Sequence, residues 1–132
     1  MIRYMLDTNI VSHLVRKHAT VARRVVETPL ASLCISSITA GELLFGLAKA
    51  PDLARLHAAV GEFLQGVDVL PWQRSTVERY GLLRADLQRR GVTLGQLDML
   101  IAAHALDVGA VLVTNDRAFA QVAALPLEDW TR

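Results

Sequence analysis

Cysteine, proline and aromatic residues are scarce in this sequence of 132 residues, which has one Cys, four Pro and 5% aromatics. Cys34 has no second cysteine to pair with, so a disulfide within the chain is excluded. The apolar runs are short and interrupted, and none reaches the length of about 18 residues that a membrane helix needs. Residues 1–7 lack a long apolar core and a small-residue cleavage site, so no secretory signal is predicted. A cytoplasmic protein without membrane contact is the expectation.

Charge of neither sign dominates, because the chain has 14 basic and 13 acidic residues and hence a formal net charge of +1. This balance gives no sign of a strongly basic, nucleic-acid-binding surface. The basic residues do cluster along the chain, and both solvated helix faces and phosphate contacts explain such clusters. The clusters are Arg16, Lys17, His18, Arg23 and Arg24, followed by Arg84, Arg89 and Arg90.

Apolar residues are abundant, at 52% of the chain with a mean hydropathy of +0.32. This composition excludes disorder and suffices for a full core, with apolar surface left over for a subunit interface. The length is that of one domain, so residues 1–132 are expected to fold as a single unit.

Apolar runs of strand length alternate with segments of helical periodicity, which predicts an α/β fold with a mainly parallel sheet. The predicted strands are residues 3–7, 33–36, 67–70, 111–114 and, at one edge, 126–130. The predicted helices are residues 8–16, 19–28, 37–49, 51–65, 73–90, 96–107 and 115–124.

Several residues mark the predicted helix ends. Ser36 or Ser37 suits the N-cap of the helix that runs to Lys49. Pro51 suits the first turn of the following helix, and Gly109 suits the end of the helix that precedes the strand 111–114.

Two aspartates follow predicted strands. Asp7 ends the first strand, and Asp116 comes shortly after the strand 111–114. In an open parallel sheet, binding sites form beyond the carboxyl ends of the strands. The two carboxylates are therefore expected at one edge of the core, although each is also a good helix N-cap.

Two further acids lie near helix starts in apolar surroundings. Glu42 follows Ala40-Gly41, and Asp98 lies between Leu97 and Met99. Either acid alone is explained by a favourable interaction with the helix dipole. Four such acids that meet at one rim need a further explanation.

The strength of carboxylate repulsion favours a bound cation at that rim. Two carboxylates ~4 Å apart repel by ~4 kcal/mol at an effective dielectric near 20, whereas a helix N-terminus returns only ~0.3–1 kcal/mol per acid. Convergence therefore requires protonation or a divalent ion, and oxygen ligands select Mg²⁺ or Mn²⁺. Such an ion activates water and neutralises a phosphodiester under attack.

The segments that contain these acids resemble those of PIN-domain ribonucleases, and more narrowly the VapC toxins of bacterial toxin–antitoxin pairs. The similarity covers nearly the whole chain. The matching segments are Leu6-Asp7-Thr8-Asn9, Ser36-Ser37-Ile38-Thr39-Ala40-Gly41-Glu42, Leu97-Asp98-Met99-Leu100-Ile101-Ala102-Ala103-His104, Val113-Thr114-Asn115-Asp116 and Leu127-Glu128-Asp129-Trp130.

The resemblance implies a PIN-like α/β/α sandwich and an Mg²⁺- or Mn²⁺-dependent endoribonuclease. Asp7, Glu42, Asp98 and Asp116 match the acidic catalytic and metal-binding positions of the family, of which the fourth is the most variable. It also implies structured RNA substrates such as transfer or ribosomal RNA, arrest of translation, a VapB-type antitoxin and a homodimer.

Weaker candidates surround Asp7. Thr8 is expected to orient an acid or a water molecule, and Asn9 to brace the helix start. Arg16 and Lys17 are candidate RNA contacts because they lie close to Asp7 in sequence.

Three other interpretations fit the sequence less well. A receiver-like phosphoacceptor domain needs a lysine after its last strand, and the only lysines are Lys17 and Lys49. A dehalogenase-type phosphatase needs an aspartate where Asn9 stands. A non-catalytic binding subunit is disfavoured by four intact acids.

Overall fold

A computed structural model describes all residues, 1–132, as alternating strands and helices. Two short 3-10 segments, Leu30–Ser32 and Arg117–Gln121, lie between these elements. The elements are β1 (Tyr4–Leu6), α1 (Thr8–Val15), α2 (Ala19–Glu27), β2 (Leu33–Ser36), α3 (Ser37–Lys49), α4 (Ala54–Gly66), β3 (Asp68–Leu70), α5 (Arg74–Arg89), α6 (Gln96–Val108), β4 (Val111–Val113) and β5 (Leu127–Glu128).

The five strands form one sheet in the order β3-β2-β1-β4-β5, and every neighbouring pair is parallel. Pairs of helices connect β1 to β2, β2 to β3 and β3 to β4. The predicted α/β/α sandwich with a parallel central sheet is confirmed.

Side chains of the central strands alternate between two cores. Met5 and Leu112 point to the face covered by α5 and α6, where Leu83, Leu87 and Ile101 pack against them. The next residues along the same strands point to the other face, and pack with α1, α2, α3 and α4. This two-residue period explains why all three central strands read as continuous apolar runs.

Polar side chains mark where helices begin at the carboxyl edge of the sheet. Asp7 caps α1 by accepting a hydrogen bond from the Thr8 N–H, and Ser36 caps α3 by accepting one from the Ile38 N–H. Ser36, rather than Ser37, is therefore the N-cap. Gly109 ends α6 in the left-handed conformation, with φ of 69°.

The predicted first turn of α4 at Pro51 is wrong. Residues before proline avoid the helical region, and Ala50 accordingly leaves α3 with φ of −130° and ψ of 63°. Pro51 and Asp52 then form a turn, and α4 begins only at Ala54.

The region after β4 is less regular than predicted. The expected helix 115–124 is a five-residue 3-10 helix, Arg117–Gln121, and the expected strand 126–130 pairs only over Leu127–Glu128. Phe119 and Trp130, which lie before and after β5, are almost inaccessible to solvent. Because their burial fixes the path of the chain, regular structure ends on either side of this strand. No helix combines the length and apolar character needed to cross a bilayer.

Candidate active site

Strands β1 and β4 carry two acidic segments to the same edge of the sheet. The two strands are neighbours, with Leu6 aligned to Val113, and the Asp7 N–H continues the ladder to the Val113 carbonyl at 2.9 Å. The chain winds outward from β1 in one direction and then returns to β4 on the other side. This reversal makes the β1/β4 boundary the switch point where sites form in parallel sheets.

Asp7 is the most enclosed acid, with 4% of its surface exposed. Its Oδ1 accepts a hydrogen bond from the Thr8 N–H at 2.8 Å. Its Oδ2 accepts one from the Thr114 hydroxyl at 2.8 Å and one from the Asn9 amide at 3.0 Å. Asp7 is therefore an N-cap, as its structural interpretation predicted, and is also held rigidly at the sheet edge.

The pKa of Asp7 shows that its surroundings disfavour the charged carboxylate. Burial raises the pKa from 3.8 to about 6, although the hydrogen bonds from Thr114 and Thr8 act in the opposite direction. The negative charges of Asp98 and Glu42 make smaller contributions to the same rise. Acids from β1, α3 and α6 are therefore close enough to repel one another.

Asp98 lies in the first turn of α6, as predicted. Burial raises the pKa of Asp98, and the charges of Asp116 and Glu42 add to the rise. Gly95 leaves room for this carboxylate, because a Cβ atom at that position would lie 3.2 Å from Asp98 Oδ2.

Glu42 lies beyond the first turn of α3, so the helix N-terminus does not account for it. Its Oε1 accepts a hydrogen bond from the Thr8 hydroxyl at 2.7 Å. Thr8, the residue after Asp7, thus links the start of α1 to the carboxylate on α3.

Asp116 is exposed and caps the short 3-10 helix through Oδ1, which accepts from the Ala118 N–H at 2.9 Å. Its own N–H donates to the Thr114 hydroxyl oxygen at 3.0 Å. The same hydroxyl donates to Asp7, so Thr114 connects the two strand-end acids. Asp116 Oδ2 accepts no hydrogen bond within the chain and stays open for a ligand.

No cationic side chain compensates these acids, because the ion pairs of the chain all involve other carboxylates. No three His, Cys, Asp or Glu side chains are already arranged as ligands around one point. The donor set nevertheless fits a hard divalent ion, since it consists of carboxylate oxygens with uncompensated charge.

The weaker candidates Asn9, Arg16 and Lys17 lie in different parts of the structure. Asn9 braces the loop after β4, donating to Asp7 and accepting from the Asn115 N–H at 3.3 Å. Arg16 lines a groove of about 300 Å³ together with Thr8 and Glu42. Lys17 is not among the residues that line this groove.

Sequence reasoning missed two residues of the site. Thr114 connects Asp7 to Asp116, and Gly95 leaves space for Asp98. The polar residue directly after an apolar strand was the only available signal for Thr114. The contact of Gly95 with Asp98 had no sequence signal beyond the expected helix start.

Four carboxylates without cationic partners at the switch point of a parallel sheet place the chain in the class of α/β proteins with an acidic site at the sheet edge. The sequence profile described as "PIN domain" matches residues 4–125. The chain is 35% identical over 131 residues to Ribonuclease VapC2 of Haemophilus influenzae, with 98% of this chain and 99% of that protein covered.

Two further relatives extend the comparison. The tRNA(fMet)-specific endonuclease VapC of Shigella flexneri is 35% identical over 132 residues, which cover 99% of this chain and 100% of that protein. The crystal structure of DNA-bound VapBC from Salmonella typhimurium superimposes with a TM-score of 0.91 at 34% identity, covering 98% of this chain and 99% of that one. The chain belongs to the PIN-domain family and, within it, to the VapC ribonucleases. Nucleases of this family generally depend on a divalent metal ion.

Proposed function

We propose that this chain is the toxin of a toxin–antitoxin pair, an endoribonuclease that cleaves structured RNA and thereby stops translation. The observation that carries the proposal is the group of four acids without cationic partners at the carboxyl edge of the sheet. Its occurrence in a chain 35% identical to named VapC ribonucleases supports RNA as the substrate.

Asp7, Glu42, Asp98 and Asp116 are the proposed ligands of Mg²⁺ or Mn²⁺. A divalent ion bound there supplies an activated water and neutralises negative charge on the phosphodiester. Asp7 is held in place by the Thr114 hydroxyl, and Glu42 by the Thr8 hydroxyl. Asp116 is bound at Oδ1 by the Ala118 N–H, which leaves its Oδ2 available as a metal ligand.

Transfer RNA is the substrate class that we propose to test first. Two relatives, from Shigella flexneri and Salmonella typhimurium, are named tRNA(fMet)-specific endonucleases. Ribosomal RNA is the second substrate class, and the cytoplasm is the compartment in which both occur.

The proposed partners are a VapB-type antitoxin and a second copy of the chain. Solved VapBC structures from Rickettsia felis and Salmonella typhimurium support the first partner. The neighbouring apolar side chains of Leu44 and Phe45 on α3 are exposed, which supports an association surface on this helix. Residues 1–132 are proposed to act as one PIN domain.

The test is cleavage of an initiator transfer RNA transcript by the purified chain with Mg²⁺, with Mn²⁺ and with EDTA. We expect cleavage with either metal and none with EDTA. Asp7→Asn should abolish cleavage, whereas the matched control Asp52→Asn, on an exposed turn, should cleave like wild type. Cleavage by Asp7→Asn at the wild-type rate would show that the proposed site is wrong.

A further inference from the structure

A cleft beside Asp116 separates the acidic site from the C-terminal residues. We infer that this cleft binds one nucleotide of the RNA next to the cleavage site, with Arg117 contacting a phosphate. The inference rests on the proposed function and adds to it a location for substrate recognition outside the four acids.

The cleft has a volume of about 460 Å³, within the usual range of small-ligand pockets. The segment after β4 forms one wall, and the segment from β5 to the C-terminus forms the other. The residues that carry the argument are Thr114, Asp116, Arg117, Ala120, Leu127 and Arg132.

The cleft is continuous with the acidic site because the two share residues. Thr114 donates to Asp7 through its hydroxyl and also lines the cleft. Asp116 raises the pKa of Asp98 and lines the cleft as well. An RNA strand with one phosphate at the acids therefore has its neighbouring nucleotide within reach of this cleft.

Three carboxylates and two guanidinium groups line the cleft, and one of these groups, Arg117, is free to contact a phosphate. Arg117 is exposed and forms no ion pair within the chain. Arg132 pairs only with Asp129, at 3.5 Å, and its side chain is 71% exposed. Glu128, the other acid in this wall, is already bound by Arg24 at 3.0 Å and by the Trp130 indole at 2.9 Å. The free guanidinium of Arg117 can therefore form a planar, bidentate contact with a phosphate.

The apolar part of the lining suits a base. Leu127 and Ala120 are the two apolar residues of the cleft, which they line together with Arg117 and Arg132. A nucleotide combines an apolar base face with an anionic phosphate. In this cleft Leu127 and Ala120 would contact the base and Arg117 the phosphate. An acidic peptide would use the arginines but has no need of a site continuous with the acids.

Binding of RNA to a non-cleaving chain tests the subsite directly. The parent is Asp7→Asn, its fold checked by circular dichroism, and the probe is a fluorescein-labelled initiator transfer RNA transcript. Adding Arg117→Ala should weaken binding about tenfold, the effect expected for one charge-assisted contact. It should also lower the slope of log Kd against log salt by close to one unit. The matched control Arg74→Ala, at a side chain 95% exposed on α5, should change neither quantity.

A second matched pair places a charge in the cleft without removing an arginine. Ala120→Glu adds a carboxylate to the lining and should weaken RNA binding, whereas Ala123→Glu adds the same charge at an exposed position that does not line the cleft. Equal RNA affinity and equal salt slope for Arg117→Ala and its parent would overturn the subsite. Unchanged RNA affinity with lost binding of a VapB-type antitoxin would assign the cleft to the protein partner and overturn it too. If the wild-type chain does not cleave RNA at all, it is the proposed function that fails.

Discussion

The Ser36 hydroxyl lies 2.7 Å from Nδ1 of His104, in a buried hydrogen bond between the start of α3 and α6. The imidazole also bonds to the Pro71 carbonyl, which can only accept, so in neutral His104 the single ring proton is used there and Nδ1 accepts from the Ser36 hydroxyl. A neutral His104 thus joins the helix that carries Glu42 to the helix that carries Asp98.

Removing the Ser36 hydroxyl should destabilise the fold. Ser36→Ala loses the N-cap of α3 and leaves the buried His104 nitrogen without its partner, at an expected cost of about 2–3 kcal/mol. Ser37→Ala, one position on, should cost below about 0.5 kcal/mol because that side chain makes no hydrogen bond. Urea denaturation measures both values, and equal costs would contradict the assignment of Ser36 as the cap.

The stability of the chain should depend on His104 as the pH falls. Burial lowers the pKa of His104 below 6.5, although Asp107 and the bond to Pro71 act in the opposite direction. Below pH 6.5 the unfolded chain binds a proton that the folded chain excludes, so this contribution to stability is present above that pH and lost beneath it.

The measurement is the free energy of unfolding at pH 7.5 and at pH 5.5 for wild type and for His104→Gln. Asp7 contributes in the opposite direction over this interval in both proteins, so only their difference isolates the imidazole. Wild type should lose more stability than the variant, and identical losses would show that His104 is not buried in its neutral form.

Asp7→Asn should stabilise the fold while it abolishes cleavage. The folded pKa of about 6 exceeds the ordinary 3.8, so burying the ionised carboxylate is unfavourable at pH 7.5. An amide carries no charge, and we expect a gain of about 1–2 kcal/mol, less than the shift implies because the amide cannot accept all the same hydrogen bonds. The gain should shrink as the pH falls through 6 towards 4. Asp52→Asn is the control, and a destabilised Asp7→Asn would contradict the expectation.

Gly95→Ala should lower activity without unfolding the chain. The backbone at Gly95 has φ of −56°, which alanine adopts readily, but its Cβ would stand 3.2 Å from Asp98 Oδ2. A carboxylate displaced by a few tenths of an ångström should reduce kcat by about threefold to tenfold. Gly61→Ala in α4 meets no atom within 4 Å and should leave kcat unchanged. Full activity of Gly95→Ala would show that the position of Asp98 is not critical.

Added metal should raise the melting temperature of the wild-type chain. An ion that binds only the folded state stabilises it by about 2.7 kcal/mol at a concentration one hundred times its Kd. Titration of Mn²⁺ against thermal unfolding measures the shift, and EDTA should reverse it. Asp98→Asn should reduce the shift, and Asp86→Asn, whose carboxylate pairs with Arg89 and Arg90, should not. An absent shift at millimolar Mn²⁺ would contradict the proposed ligands.

The sheet and its acidic edge were predictable because they depend on local patterns. Continuous apolar runs in β1, β2 and β4 indicate strands buried on both faces, and such strands are parallel in an α/β chain. Parallel strands end at one edge, so Asp7 and Asp116 had to share it. The lengths of β5 and of the helix after Asp116 were not predictable, because burial of Phe119 and Trp130 decides them.

The amino-acid sequence by itself determined the fold class and the four acids, since residue periodicity and the position of an acid after a strand are properties of neighbouring residues. Tertiary structure alone decided which hydroxyls hold those acids, where Ser36 meets His104 and where a cleft opens beside Arg117. The reason is physical: these hydrogen bonds join residues 34, 68 and 107 positions apart in the sequence, and each forms only if the distance between donor and acceptor is right to a few tenths of an ångström. Only the packing of the two cores sets those distances.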